Sequence, residues 1–216
     1  MSTLRATKAP NLINAPRVYE AGYYDQTHRE LRTYFNTLDN ATSALFGIRG
    51  GDYLDFSYGS FYDTTNQTAA STTAAYAITL DTTAASNGVS IASSSQLTFA
   101  EAGLYNVQFS IQFTNSGANV HAASVWFRKN GTNIANSNSE FSIPAKHGAT
   151  DGRLIAAINF FVEVAADDYL ELMWATEDTG VSITYLPAQS SPTRPATPSV
   201  ILTVARVSDV LVPVYA

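Results

Sequence analysis

Three histidines, His28, His121 and His147, and no cysteine make up the chain's stock of soft or neutral-pH-titrating side chains. Such groups serve as metal ligands and as acid–base catalysts near neutrality. Only PAKHGATDGR gathers several chemistry-bearing types in one stretch, with Lys146, His147 and Asp151. One His and one Asp fall short of the three or four ligands of a zinc centre, and no HExxH helix motif is present. Bracketed by Gly148 and Gly152, the stretch reads as a turn, and neither a metal nor a cofactor is expected. The acid pairs Asp167-Asp168 and Glu177-Asp178 could supply glycosidase carboxylates. Those carboxylates come from facing elements around a cleft, whereas adjacent acids at a strand end point apart. GxSxG, P-loop and GxGxxG patterns are missing, so nucleophile and phosphate chemistry lack their usual scaffolds. Trp126, with Val125 and Phe127 on the opposite parity, is the candidate for stacking on a sugar. Most of the 12 Tyr, 11 Phe and 2 Trp are nevertheless needed for a core. The expectation is a protein that is not an enzyme.

The elements that would position these residues follow from composition and pattern. With 216 residues the chain can bury a core without disulfides, and zero cysteines fit a reducing compartment. Neither a signal peptide nor a transmembrane run is expected, since apolar stretches are broken by Asn, Glu and Asp. The net charge of −6 is uneven: residues 1–49 carry six bases against four acids, the remainder six against fourteen. An acidic chain repels phosphate, so no nucleic-acid partner is expected. Arg5, Lys8 and Arg17 in the mildly basic beginning are candidates to dock on an acidic surface.

Residues 1–22, with Pro10, Pro16 and Gly22, read as an extended arm. Tyr24, Leu31, Leu38 and Leu45 then recur every seven residues, with Thr27, Tyr34 and Ala41 interleaved. This predicts one helix from about 25 to 46, N-capped by Asp25 and closed by Gly47. Three heptads are marginal alone, so the helix must pack on copies of itself, on a partner or on its own domain. Residues 47–52, opening GIRGGDY, form the expected glycine hinge.

From residue 53 the pattern is all β. Strands are expected at 74–80, 88–92, 97–99, 153–164, 169–176, 181–186 and 199–207, with a hairpin turned at Asn130-Gly131. The longest alternation puts Tyr105, Val107, Phe109, Ile111 and Phe113 on one parity, hence in the core, and Asn106 to Thr114 on the wet side. Short punctuated strands argue for a sandwich or barrel. Ile155, Phe161 and Ile201 break the pattern, being apolar on the face that should be wet. They suggest a subunit interface, or a strand covered by a loop from 62–73 or 187–198.

AEAGLYNVQFSIQF, VWFRKNGTNIANSNSEFSIP, AAINFFVEVAADDYLELMWATEDTGVSITY and RPATPSVILTVARV, in that order, resemble the C1q/TNF-like jelly roll. The resemblance covers about Tyr53 to Val207 and is to C1q-like domains in structural proteins of tailed bacteriophages. YYDQTHRELRTYFNTLDNA is similar to a short helix ahead of such domains. The resemblance implies a mainly β jelly-roll sandwich that trimerises about a threefold axis, its inner sheet facing its neighbours. Leu31, Tyr34, Leu38 and Leu45 of the helix, with Ile155, Phe161 and Ile201, would then form the trimer interface. The segment 1–46 would anchor the trimer on phage capsid or tail proteins. A Gly-X-Y stalk is lacking, and the apolar segment 208–216 has no counterpart in the family. The expected function is a homotrimeric capsid decoration or head-fibre protein in the virion, with no membrane insertion. A tail-fibre or receptor-binding protein contacting a host-surface glycan or protein is the alternative.

Overall fold

The computed structural model describes residues 10–12, 14, 16–46 and 56–208, which fall into two compact units, one within 1–55 and one from 56 onward. In the first, a single helix, α1, runs Ala21–Phe46. It begins a turn earlier than the heptad predicts. The Glu20 carbonyl accepts the amides of Tyr23 and Tyr24 at 3.1 and 3.4 Å, so Asp25 sits inside the helix and is not its cap. Stacking of Tyr19 on Tyr24 (ring centroids 5.1 Å apart) ties the preceding chain to this first turn. Thr27, Leu31, Tyr34 and Leu38 are half-buried along one stripe, while Phe35 is exposed. The side chain of Leu45, the hinge at 47–52, and Arg5 and Lys8 lie outside the described residues.

The second unit is a jelly-roll-like β-sandwich. Its strands begin with β1 (Tyr58–Asp63), β2 (Gln67–Thr68), β3 (Tyr76–Ala77), β4 (Thr82–Asn87), β5 (Val89–Ala92) and β6 (Gln96–Phe99). The long strands follow: β7 (Gly103–Asn115), β8 (His121–Lys129), the short β9 (Thr132–Asn133), β10 (Ser139–Ile143) and β11 (Gly152–Val164). β12 (Tyr169–Thr176), β13 (Val181–Ile183), β14 (Gln189–Ser190), β15 (Thr193–Arg194) and β16 (Val200–Ser208) complete the unit.

β7 lies at the heart of the first sheet. β11 pairs along its whole length, from Gly152↔Asn115 to Val164↔Gly103. On its other side β16 pairs over Val200↔Ile111 to Ser208↔Leu104, and β13 continues that edge. β1 and β4 extend the sheet beyond β16, and β2 extends it beyond β13. The second sheet runs β10-β8-β12-β6-β5, with β3 on β12 and β9 on β8. Between the sheets Tyr105, Val107, Phe109, Ile111 and Phe113 are buried, meeting Phe99, Phe127 and Trp174 from the other layer. The alternation of β7 is thus the inner face of a sandwich, as the sequence indicates.

Turn chemistry agrees at Asn130 and Gly131, whose φ values of 48° and 79° make the left-handed pair of a tight hairpin between β8 and β9. Elsewhere boundaries differ. The segment expected as a strand over 74–80 is a strand only at Tyr76–Ala77, and 181–186 only as far as Ile183, although Ile78, Thr184 and Leu186 still donate backbone hydrogen bonds to Leu172, Gln112 and Thr197. β1, β4 and β10 were not expected: YGSFYD, TTAASN and SEFSI mix small and polar residues that weaken any alternation signal.

Candidate functional site

The outer face of the β7 sheet is the most unusual surface of the second unit. β11 presents Arg153, Ile155, Ala157, Asn159, Phe161 and Glu163 outward, while its other parity faces the core. Ile155 is 63% exposed, Phe161 53%, and on β16 Ile201 39% and Val207 54%. Strand register joins them into one surface. Ala157 stands opposite Ser110 and Ser110 opposite Ile201, while Phe161 stands opposite Asn106 and Asn106 opposite Ala205. The polar row on β7 is therefore flanked by mixed rows: Ile155, Ala157 and Phe161 alternate with Arg153, Asn159 and Glu163 on β11, and Ile201 and Ala205 flank Thr203 on β16. β11 pairs with β7 and with no other described strand, so Leu154, Ile158 and Phe160 on its core side are only partly covered. The unpaired strand edge and the exposed Ile155 and Phe161 thus belong to the same strand, and both are uncovered in the single chain. The sequence expectation for Ile155, Phe161 and Ile201 thus meets an exposed position in each case. The loops at 62–73 and 187–198 leave these side chains open.

Other sequence candidates serve the scaffold. His147 and Thr150 exchange backbone hydrogen bonds of 2.8 and 3.1 Å, closing an exposed turn. Among the described residues no three His, Asp or Glu side chains converge on a metal-sized site. Asp168 accepts from the Ala165 amide (2.8 Å) and from Asn130 Nδ2 (2.6 Å), with Lys129 Nζ 3.7 Å away. Burial pushes its carboxyl up, but these donors and the lysine outweigh it and hold the pKa below the ordinary value. Trp126 is half-buried and donates its Nε1 to Asn133 at 2.8 Å, which ties it to the hairpin. Arg17 is exposed.

Two arrangements escaped the sequence. Adjacent acids were expected to diverge, yet Glu177 and Asp178 both approach His121, at 3.9 Å from Nδ1 and 3.4 Å from Nε2. Each carboxylate also takes a backbone amide, Glu177 from Ala122 and Asp178 from Gly180, both at 2.7 Å. Glu171 on β12 points away from the core but is 5% exposed, held by Arg128 Nε at 2.8 Å and Ser95 Oγ at 3.2 Å. The first joins the start of β8 to the turn after β12, and the second joins β8, β12 and the turn between β5 and β6. No described helix is long and apolar enough to cross a membrane.

No family model matches the chain, and no curated protein matches it.

Proposed function

We propose that the chain is a non-enzymatic structural protein of a phage virion, a homotrimeric capsid decoration or head-fibre protein anchored through its N-terminal region. The supporting observation is the outer face of the β7 sheet, where Ile155, Phe161 and Ile201 stand exposed beside an unpaired strand edge. Large apolar side chains gathered this way on a folded domain belong to an interface. Three copies would bury them together, as the likeness to C1q-like domains implies. The half-buried stripe Thr27, Leu31, Tyr34 and Leu38 gives α1 a face for the same threefold association. Arg5, Lys8 and Arg17 would supply positive charge towards a capsid surface. Three weak anchoring contacts on one trimer act together, so the attachment is far tighter than any single one.

Light scattering on the purified chain tests the assembly: a trimer is expected at micromolar concentration, and a monomer would overturn it. Quantitative mass spectrometry of purified particles tests the location. A decoration protein should occur in tens to hundreds of copies. A tail-fibre count of a few trimers would favour the receptor-binding alternative, and absence from particles would refute both.

A further inference from the structure

At the Gly152 end of β11 the outer sheet face runs into a groove with a different character. Its floor is the end of β7 and the chain after β13, presenting Gln112, Thr114 and Thr184; its near wall is Arg153 and Ile155. Its far wall is the loop after Leu186, whose base is locked by two backbone hydrogen bonds between Leu186 and Thr197, 3.0 and 2.8 Å. Two adjoining hollows of about 290 and 210 Å³ share Arg153 and Leu186, and the second reaches Arg194. Together they fall in the range of small-ligand sites, roughly 300–1,000 Å³.

Half of the first hollow's lining is apolar, from Phe113, Leu154, Ile155 and Leu186, while its charged lining is of one sign. The chain carries 18 acids against 12 bases, yet no carboxylate lines either hollow while two arginines do. The Arg153 guanidinium has no hydrogen bond or ion pair among the described residues, and Arg194 donates to the Gln189 side chain. A free planar fork of donors matches a carboxylate in two-point geometry. Beside it, the hydroxyls of Thr114, Ser182 and Thr184 are mutually bonded, Thr114 to Ser182 at 2.9 Å and to Thr184 at 2.6 Å. Each can reorient its proton, so the cluster can donate to or accept from a neighbouring alcohol. A wider hollow at Ser86–Ser90 and Thr98–Ala100 has Asp167 as its only charge, and nothing there selects a ligand.

We infer that this groove binds an acidic sugar unit, a hexuronate of an anionic polysaccharide. Its carboxylate meets Arg153 and Arg194, and its hydroxyls meet the Thr114–Thr184 cluster and Gln112. An acidic sugar brings its carboxylate to the arginines and its hydroxyls to Gln112 and to a hydroxyl cluster that can trade one internal bond for one to the ligand. Ile155 belongs to both the groove and the proposed trimer face, so in a trimer the groove lies at the seam between copies.

The test uses the full chain and calorimetric titration with a hexamer of galacturonate, a neutral hexamer of glucose and a hexaglutamate peptide. The galacturonate hexamer should bind with a Kd under 1 mM (roughly −4 kcal/mol), weakening as salt is raised. The other two should bind at least tenfold less tightly. Arg153→Gln and Arg194→Gln should each cost at least tenfold, with melting temperature and oligomeric state unchanged. Equal binding of the glutamate peptide would make this an anion site and overturn the sugar assignment. Equal binding of neutral glucan, silence at 1 mM galacturonate, or unaltered affinity in Arg153→Gln would overturn the site itself. None of these outcomes bears on the virion reading, which particle copy number decides separately.

Discussion

Asn115 and Gly152 hold one carbonyl between them. Asn115 Nδ2 donates to the Pro144 oxygen at 3.1 Å, and a Cβ on Gly152 would stand 1.8 Å from that same oxygen. Asn115 is fully buried at the end of β7, and its amide also donates to the Asn119 carbonyl at 2.8 Å while its Oδ1 takes the Gly117 amide at 2.8 Å. The junction from β10 into β11 is therefore fixed by a side-chain clamp on one side and by the absence of a side chain on the other. Asn115→Asp removes the donors and aims an acceptor at two carbonyls. A loss on the order of 3 kcal/mol is expected at neutral pH, read from the midpoint of urea unfolding. Asn115→Ala should lose less.

Gly152→Ala collides with backbone, which cannot swing aside as a flexible side chain could. Forcing such a contact costs about 1–3 kcal/mol or more. Amide exchange should show the damage at the first residues of β11, with β8 and β12 left protected.

The contrast between local and distant information explains what could be read in advance. The core of β7 was legible because alternation is local: Tyr105 to Phe113 announce their burial within nine residues. The Asn130-Gly131 turn was legible for the same reason. The His121 contacts were not, because the register of β12 against β8, with Thr176 opposite Ala123, brings Glu177 and Asp178 to a residue more than fifty positions away. Glu171 was not singled out, because only the fold shows that Ser95 and Arg128 cover it. The start of α1 was missed because Pro16 and Gly22 suggest an arm, and only Glu20's carbonyl marks where the helix begins. Exposure of Ile155, Phe161 and Ile201 was foreseeable as apolar residues on the wrong parity. The groove beside Arg153 was not, since its walls come from β7, β11 and the loop after Leu186.

Glu171 and Arg128 stand directly opposite each other on β12 and β8, and only the arginine reaches solvent. Arg128→Ala leaves a buried carboxylate with a single hydroxyl donor. About 2 kcal/mol should be lost, below the figure for a fully enclosed pair because Arg128 is partly exposed. Combining it with Glu171→Leu should recover part of that loss, since the unpaired charge is gone. Urea midpoints of the two single variants and the double variant close this cycle.

Acid should weaken the fold partly through Asp81 and Asp168. Burial raises both carboxyls, but donors overcome it: the Thr64 and Thr82 hydroxyls and the Thr64 amide at Asp81, the Ala165 amide and Asn130 at Asp168. Both pKa values lie below ordinary in the folded state, so the unfolded chain binds protons first. Their contribution is complete above the unfolded value of roughly 4 and disappears as pH falls through the lower folded values. Asp168→Asn should flatten the dependence of the unfolding midpoint on pH between about 5 and 2.

Tyr105 works at the opposite end of the scale. Burial pushes its phenol up, and its hydroxyl donates to the Glu101 carbonyl at 2.9 Å. Folding therefore favours the neutral phenol, and stability is lost as pH rises above the unfolded value near 10. Tyr105→Phe should cost about 1 kcal/mol at pH 7 for the lost hydrogen bond and reduce the alkaline slope. Chemical denaturation at pH 8 and pH 11 separates the two effects.

The proposed association face can be tested without breaking the fold. Ile155 and Phe161 point away from the core of their own sandwich, so Asp at either position buries no charge within the monomer. In a trimer the same substitutions would place carboxylates inside an apolar contact, at a cost of several kcal/mol per subunit. Ile155→Asp with Phe161→Asp should therefore give a folded monomer by light scattering, with near-native circular dichroism and melting that no longer depends on protein concentration. Substitution of Gln108 by Asp on the intervening polar row should weaken assembly less, because that row already carries side chains that hydrogen-bond. If the double variant remained trimeric, the contact would have to lie in α1 instead. Leu31→Asp with Leu38→Asp would then be the pair that separates the copies.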